Sequence, residues 1–175
     1  TRGGGFRKLR YLLLFLLPFM AILLQSTVFS FYSIKGTLPD LVLVFVVFFA
    51  LINGTRGGTV YGFLCGLFED IYLGRFIGVN ALSKAFTAYL VGHFQDRVFK
   101  ENILVALIAV FFSTFINSLL VFFLALFTHD IFNVDMNILN AVIYQSIYNT
   151  VLAIPLYLWY YNSSYKGILR PTGER

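Results

Sequence analysis

Four glycines recur at every fourth position of one apolar stretch, Gly54, Gly58, Gly62 and Gly66, and Asp70 continues the spacing. Residues four apart share one face of a helix. That face is a furrow almost without side chains, ending in a carboxylate. A glycine inside a helix costs about 1 kcal/mol relative to alanine. The arrangement makes sense where a second helix packs into the furrow, the main route to tight helix association in lipid. Two occupants fit: another helix of the same bundle, or a helix of a partner protein. A leucine at Gly62 separates them. Loss of the partner from a folded chain would put the furrow outside, and failure to fold would put it inside.

The surroundings of that furrow require lipid. The chain of 175 residues is 59% apolar and only 12% charged, with a mean hydropathy of +0.81. A soluble domain of this size has no use for so much apolar surface. The aromatic share of 19%, mostly Phe, suits a lipid-facing exterior with Tyr and Trp at its borders. The single cysteine, Cys65, excludes an internal disulfide framework and a cysteine-based metal cluster. It reads as a small packing residue among the glycines. The net charge of +5 gathers at the ends and in short loops, where it sets topology and does not indicate nucleic acid.

Hydropathy and punctuation predict an all-α polytopic membrane protein with six transmembrane helices in one domain. The spans run from about Leu9 to Phe29, Asp40 to Ile52, Arg56 to Leu73, Asn80 to Phe94, Asn102 to Phe127 and Ile138 to Tyr161. Residues 1–8 and 162–175 are tails. The second and fourth helices fall short of the roughly 20 residues a span needs, so they are upright, buried in the bundle or only partly crossing. The first run lacks a small-residue cleavage pattern and reads as an anchor. Thr37 reads as the N-cap of the second helix, with Pro39 and Asp40 in its first turn. Asn53-Gly54 marks a turn, and Asn80 and Asn102 read as N-caps.

Basic residues assign sides. Arg2, Arg7, Lys8, Arg10, Arg56, Arg97, Lys100, Lys166, Arg170 and Arg175 fall on one side, and Lys35 and Arg75 on the other. The positive-inside rule then puts both termini in the cytoplasm and Asp130 and Asp135 outside. Tyr157, Trp159, Tyr160 and Tyr161 would form an inner interfacial belt.

Glu69, Asp70 and Lys84 are ionisable residues at membrane depth. The two acids lie at a helix C-terminal end and the lysine near an N-terminal end, each against the helix dipole. An ion pair corrects both misfits, and Asp70 is the favoured partner of Lys84, with Glu69 as the alternative. Gln25, Asn117, Gln145 and Asn149 read as inter-helix hydrogen-bonding residues or as the lining of a polar cavity open to the outside. Pro155 is placed to bend the sixth helix. His93 and His129 fall at opposite ends, so no two-histidine metal site forms. No nucleophile elbow or phosphate-binding loop is present. The expectation is a non-enzyme without cofactor or metal.

The order and spacing of four motifs carry a resemblance over about residues 9 to 161. They are Gln25-Ser26-Thr27, Leu38-Pro39-Asp40-Leu41, Gly58-x-x-x-Gly62-x-x-x-Gly66-Leu67-x-x-Asp70 and Gly78-x-Asn80-Ala81-Leu82. Together they resemble the MreD family, rod shape-determining membrane proteins of bacteria. The resemblance implies a location in the bacterial inner membrane and a fold similar to the S component of energy-coupling-factor vitamin transporters. It implies a scaffold of the elongation (Rod) complex, supporting side-wall peptidoglycan synthesis. The direct partner would be MreC, with MreB, RodA and a class B penicillin-binding protein further out, plus membrane lipids and no nucleic acid. The alternative is a vitamin-binding S component using Gln25, Asn117, Gln145 and Asn149. Such components dock through small residues of the first helix. Here that helix is rich in Leu and Phe, and the small residues lie in the third, which counts against the alternative.

Overall fold

The run Leu41–Ile52 has no polar face, and a stretch that is apolar all round ends up enclosed. In the computed structural model, which describes residues 3–74, 77–97, 102–126 and 138–165, every residue of that run is buried. It is the central rod of the bundle. A run of 10–14 apolar residues is more often a core helix than a lipid-facing span.

Among the described residues the regular elements are all helical. They are α1 (Gly3–Phe31), α2 (Leu41–Leu73), α3 (Val79–His93), a 3-10 turn at Gln95–Arg97, α4 (Ile103–Leu126) and α5 (Ile138–Tyr165). The second and third expected helices are the two arms of α2. The helix breaks at Gly54, where φ is 80° and ψ is −173°, a conformation open in practice to glycine alone.

Contacts across this break show that the arms fold back on each other. In a straight helix Phe49 and Tyr61 would stand about 18 Å apart along the axis. Their ring centroids are 4.3 Å apart. A Cβ built on Gly58 would lie 2.7 Å from the Ala50 Cβ. The Asn53-Gly54 dipeptide is therefore the bend of a helical hairpin, and the Arg10 guanidinium donates to Asn53 Oδ1 at 2.8 Å to hold that bend against α1.

Among the described residues four helices are long and apolar enough to cross a membrane: Leu9–Phe31, Leu41–Leu73, Ile103–Leu124 and Leu139–Ser164. With 15 residues, α3 is only about 22 Å long, below the roughly 30 Å of a hydrocarbon core. The outer faces of the other helices carry Leu12, Phe15, Ile108, Phe112, Val151 and Ile154 exposed. This inversion, with apolar side chains out and charges in, is that of a lipid-embedded bundle.

The helix ends differ from the sequence expectation in instructive ways. α1 begins at Gly3, ahead of Leu9, because backbone hydrogen bonds continue past the lipid boundary that hydropathy marks. The N-cap of α2 is Asp40, not Thr37: Asp40 Oδ1 accepts from the Leu43 amide at 2.8 Å. Thr37 instead closes a two-residue turn with Ile34 through reciprocal backbone bonds of 3.1 and 2.9 Å. Lys35 and Gly36 in that turn both have positive φ, 50° and 79°, the mark of a tight hairpin turn. Asn102 does cap α4, accepting from the Leu104 amide at 2.9 Å. Arg2, Arg75, Lys100, His129, Asp130, Asp135, Lys166, Arg170 and Arg175 lie outside the described residues.

Candidate functional site

Lys84 is the least expected side chain in the interior. It lies on α3 with no solvent exposure, and an isolated ammonium there would be prohibitively expensive. Its Nζ donates to Asp40 Oδ2 at 2.7 Å and lies 2.7 Å from Glu69 Oε2. Asp40 opens the first arm of α2 and Glu69 lies near the end of the second. The hairpin at Gly54 returns the chain to the level where it began, which brings both carboxylates to one ammonium.

The expected Asp70–Lys84 pair is therefore corrected. Asp70 lies on the furrow face, where α3 begins, and its carboxylate is spent on that helix's free amides. Oδ2 accepts from the amides of Gly78 at 2.8 Å and Ala81 at 3.0 Å. Oδ1 accepts from the Asn80 amide at 3.1 Å and from Asn80 Nδ2 at 2.9 Å. An anion at a helix N-terminus satisfies orphan donors and meets the positive end of the dipole. Gly78, with φ of 109° and no capping side chain of its own, thus receives its cap from α2. Asn80, expected as the cap, is a donor to it.

The expected four-glycine face is corrected at its start, where Gly54 leaves the helix to form the bend; farther along, the furrow at Gly62 and Gly66 is filled by α3. A Cβ on Gly62 would lie 2.7 Å from the Lys84 carbonyl oxygen and 3.0 Å from the Ala88 Cβ. On Gly66 it would run into the Asn80 carbonyl and stand 2.7 Å from the Ala81 Cα. Gly54 meets Gln95, and Gly58 meets Ala50 and the Ala88 carbonyl. The approach is mutual: a Cβ on Gly92 of α3 would lie 2.6 Å from the Thr55 Cα. Of the two occupants that the spacing allowed, the internal helix sits in the furrow. Its close approach is also what sets Lys84 at the depth of Glu69.

The polar residues tie the remaining helices to the start of α2. Gln25 of α1 accepts from the Val42 amide at 3.1 Å. Asn149 of α5 accepts from the Asp40 amide at 2.8 Å and donates to Thr114 of α4 at 3.0 Å. Gln145 donates to the Leu38 carbonyl at 3.2 Å and accepts from Ser118 at 3.1 Å. Asn117 is buried on α4, and its Oδ1 has no hydrogen-bond partner among the described residues. Three of the four residues read as bundle glue or cavity lining are thus engaged with protein groups.

Sequence reasoning missed three features. Asp40 was read for its helix dipole and not as a counter-ion, although a buried lysine among three acids called for more than one. Lys35, read only for topology, donates to the Tyr144 hydroxyl at 2.7 Å and stands 4.7 Å from that ring's centroid. Tyr157 and Tyr160 are core residues and not an interfacial belt. They pack on Phe48 with centroids 5.0 and 5.7 Å away, while Trp159, alone of the four residues expected in the belt, faces out well exposed. The first arm of α2 needs apolar partners on all sides, and the inner face of α5 supplies them. Cys65 is buried in the same core. Among the described residues no group of His, Cys, Asp and Glu is arranged to hold a metal.

Fold and site together define a class: an all-helical protein that fits a multi-pass membrane location, with its charges gathered on a buried lysine and its apolar side chains turned outward. A protein-family model described as rod shape-determining protein MreD matches residues 6–163. The chain belongs to the MreD family, a membrane protein family of rod-shape determination and not a known enzyme family. No curated protein and no solved structure matches it.

Proposed function

We propose that this chain is a non-enzymatic scaffold of the Rod complex in the bacterial inner membrane, binding MreC and supporting side-wall peptidoglycan synthesis. Six membrane-embedded segments, with the arms of α2 counted separately, would leave both termini in the cytoplasm, as the distribution of Lys and Arg requires. One observation carries the reading: the ionisable and amide side chains described above are mostly consumed in holding helices to one another. Such an interior is built for shape. With α3 in the glycine furrow, a partner helix would dock on the outward apolar faces.

The vitamin-binding alternative loses support from the same bonds. Gln25, Gln145 and Asn149 would have to release protein partners before they could hold a polar ligand. The test is co-expression with MreC followed by mass measurement of the intact complex, alongside rescue of cell width in a rod-shaped bacterium depleted of its own MreD. A stable complex together with rescue is expected. A chain that rescues nothing and stays monomeric beside MreC, or that gains several degrees of melting temperature from a vitamin, would overturn the proposal.

A further inference from the structure

Two carboxylates face one ammonium in the interior, and the sum is one negative charge too many. Lys84 is wholly enclosed, and the side chains of Asp40 and Glu69 are only 12% and 10% exposed. Uncompensated charge in such a place costs several kcal/mol. Among the described residues no other cation stands within ion-pair distance of the cluster. The second arm of α2 offers Asp70, whose charge is already taken by the amides of α3, and neutral Cys65. α4 offers Thr114 and Asn117, α5 offers Asn149, and α1 offers Gln25, all neutral. Arg10 lies at the opposite end, at the Asn53 bend, with Arg97 just beyond α3's far end.

The two carboxylates are not equivalent. Asp40 caps α2, accepts the Leu43 amide and accepts the hydrogen bond that Lys84 donates. Glu69 lies in the C-terminal part of the same helix, where the dipole opposes an anion, and next to a second acid, Asp70. Its oxygen Oε2 is as near to the ammonium as Asp40's, yet this ion pair lies outside hydrogen-bonding geometry and Oε2 accepts no hydrogen bond among the described residues.

We propose that Glu69 is a proton-binding site. The folded bundle carries Glu69 as a carboxylic acid, its proton taken from water, opposite the Asp40–Lys84 salt bridge. The cluster is then neutral. Loss of that proton at alkaline pH sets two anions against one cation at the junction of α2 and α3 and loosens it.

The test is infrared spectroscopy of the full chain in lipid nanodiscs at neutral pH. A carboxylic-acid carbonyl band is expected that shifts on side-chain 13C-labelling of glutamate and not of aspartate, a reading that needs no variant. The band should be lost in Glu69→Gln, which keeps the fold because its cluster is neutral without a proton. It should also be lost in Asp40→Asn, where Glu69 becomes the only counter-ion of Lys84. A folded wild type without a glutamic-acid band, or a band that survives Glu69→Gln, would overturn the assignment. A band that appears only when sodium is withdrawn would overturn it too, by making a metal cation the occupant.

Discussion

Lys84 and Asp40 stand 44 residues apart in sequence and 2.7 Å apart in space, and this contact joins the start of α2 to the middle of α3. Because the ammonium holds Asp40 and also faces Glu69, Lys84→Met leaves the buried Asp40 carboxylate without its cation and Glu69 without its polar neighbour. The expected loss is about 3–5 kcal/mol of folding stability, read as a lower midpoint in denaturing-detergent titration. A double-mutant cycle should show Lys84 coupled to Asp40 more strongly than to Asp70. Coupling that favours Asp70 would mean the carboxylates are wrongly placed.

The glycines of the furrow should separate sharply from a glycine beside it. Gly62→Ala puts a methyl 2.7 Å from a backbone oxygen, which cannot move without shifting α3. Overpacking of this kind costs about 1–3 kcal/mol, and Gly62→Leu should prevent folding. Gly57, whose added Cβ would meet only side-chain atoms at 3.5 Å and beyond, has room. Gly57→Ala should be neutral or stabilise by up to about 1 kcal/mol through helix propensity. Thermal melts of the two alanine variants in one detergent check the contrast. Equal effects would remove the furrow from the account.

Asp70→Ala should act locally at the start of α3. Three backbone amides, those of Gly78, Asn80 and Ala81, lose their acceptor at once. Loss of a helix cap costs about 1–2 kcal/mol, and charge-assisted bonds put this case at the upper end. Hydrogen exchange at Gly78–Ala81 should accelerate well before that of α4 or α5. Unchanged protection there would show that another group caps the helix.

The sequence carried the long-range partners of short motifs unevenly. The glycine ladder was legible from Gly58 to Gly66 because a period of four needs no knowledge of the fold, but its first rung was not: Gly54 leaves the helical face to form the bend. The bend at Asn53-Gly54 was legible as a turn for the same local reason. The partner of Lys84 was not legible. Helix-dipole reasoning ranks acids by their position in a helix, whereas the pairing was set by the hairpin, which returns Glu69 to the level of Asp40. Asp70, the acid with the best spacing, was drawn off by three unsatisfied amides that belong to another element. Tyr157 and Tyr160 were misread because interfacial belts and core stacking use the same residue type. Only the fully apolar Leu41–Ile52 rod, which must be surrounded, distinguishes them.

Asn149 tests how α5 is fastened. Its Oδ1 accepts from the Asp40 amide and its Nδ2 donates to the Thr114 hydroxyl, so one side chain bridges α2, α4 and α5. Asn149→Leu keeps the volume but leaves a buried amide without an acceptor, at a cost of about 1–3 kcal/mol. The aromatic contacts of Tyr157 and Tyr160 with Phe48 lie farther along α5 and should survive. The expected result is a helix held at the tyrosine end and loosened at the Asn149 end. Cysteine accessibility at Val142, buried on that half of α5, should rise in Asn149→Leu, while accessibility at Ala153, buried farther along, should not. Equal labelling at both positions would mean that α5 moves as a rigid whole and that Asn149 is not its fastening.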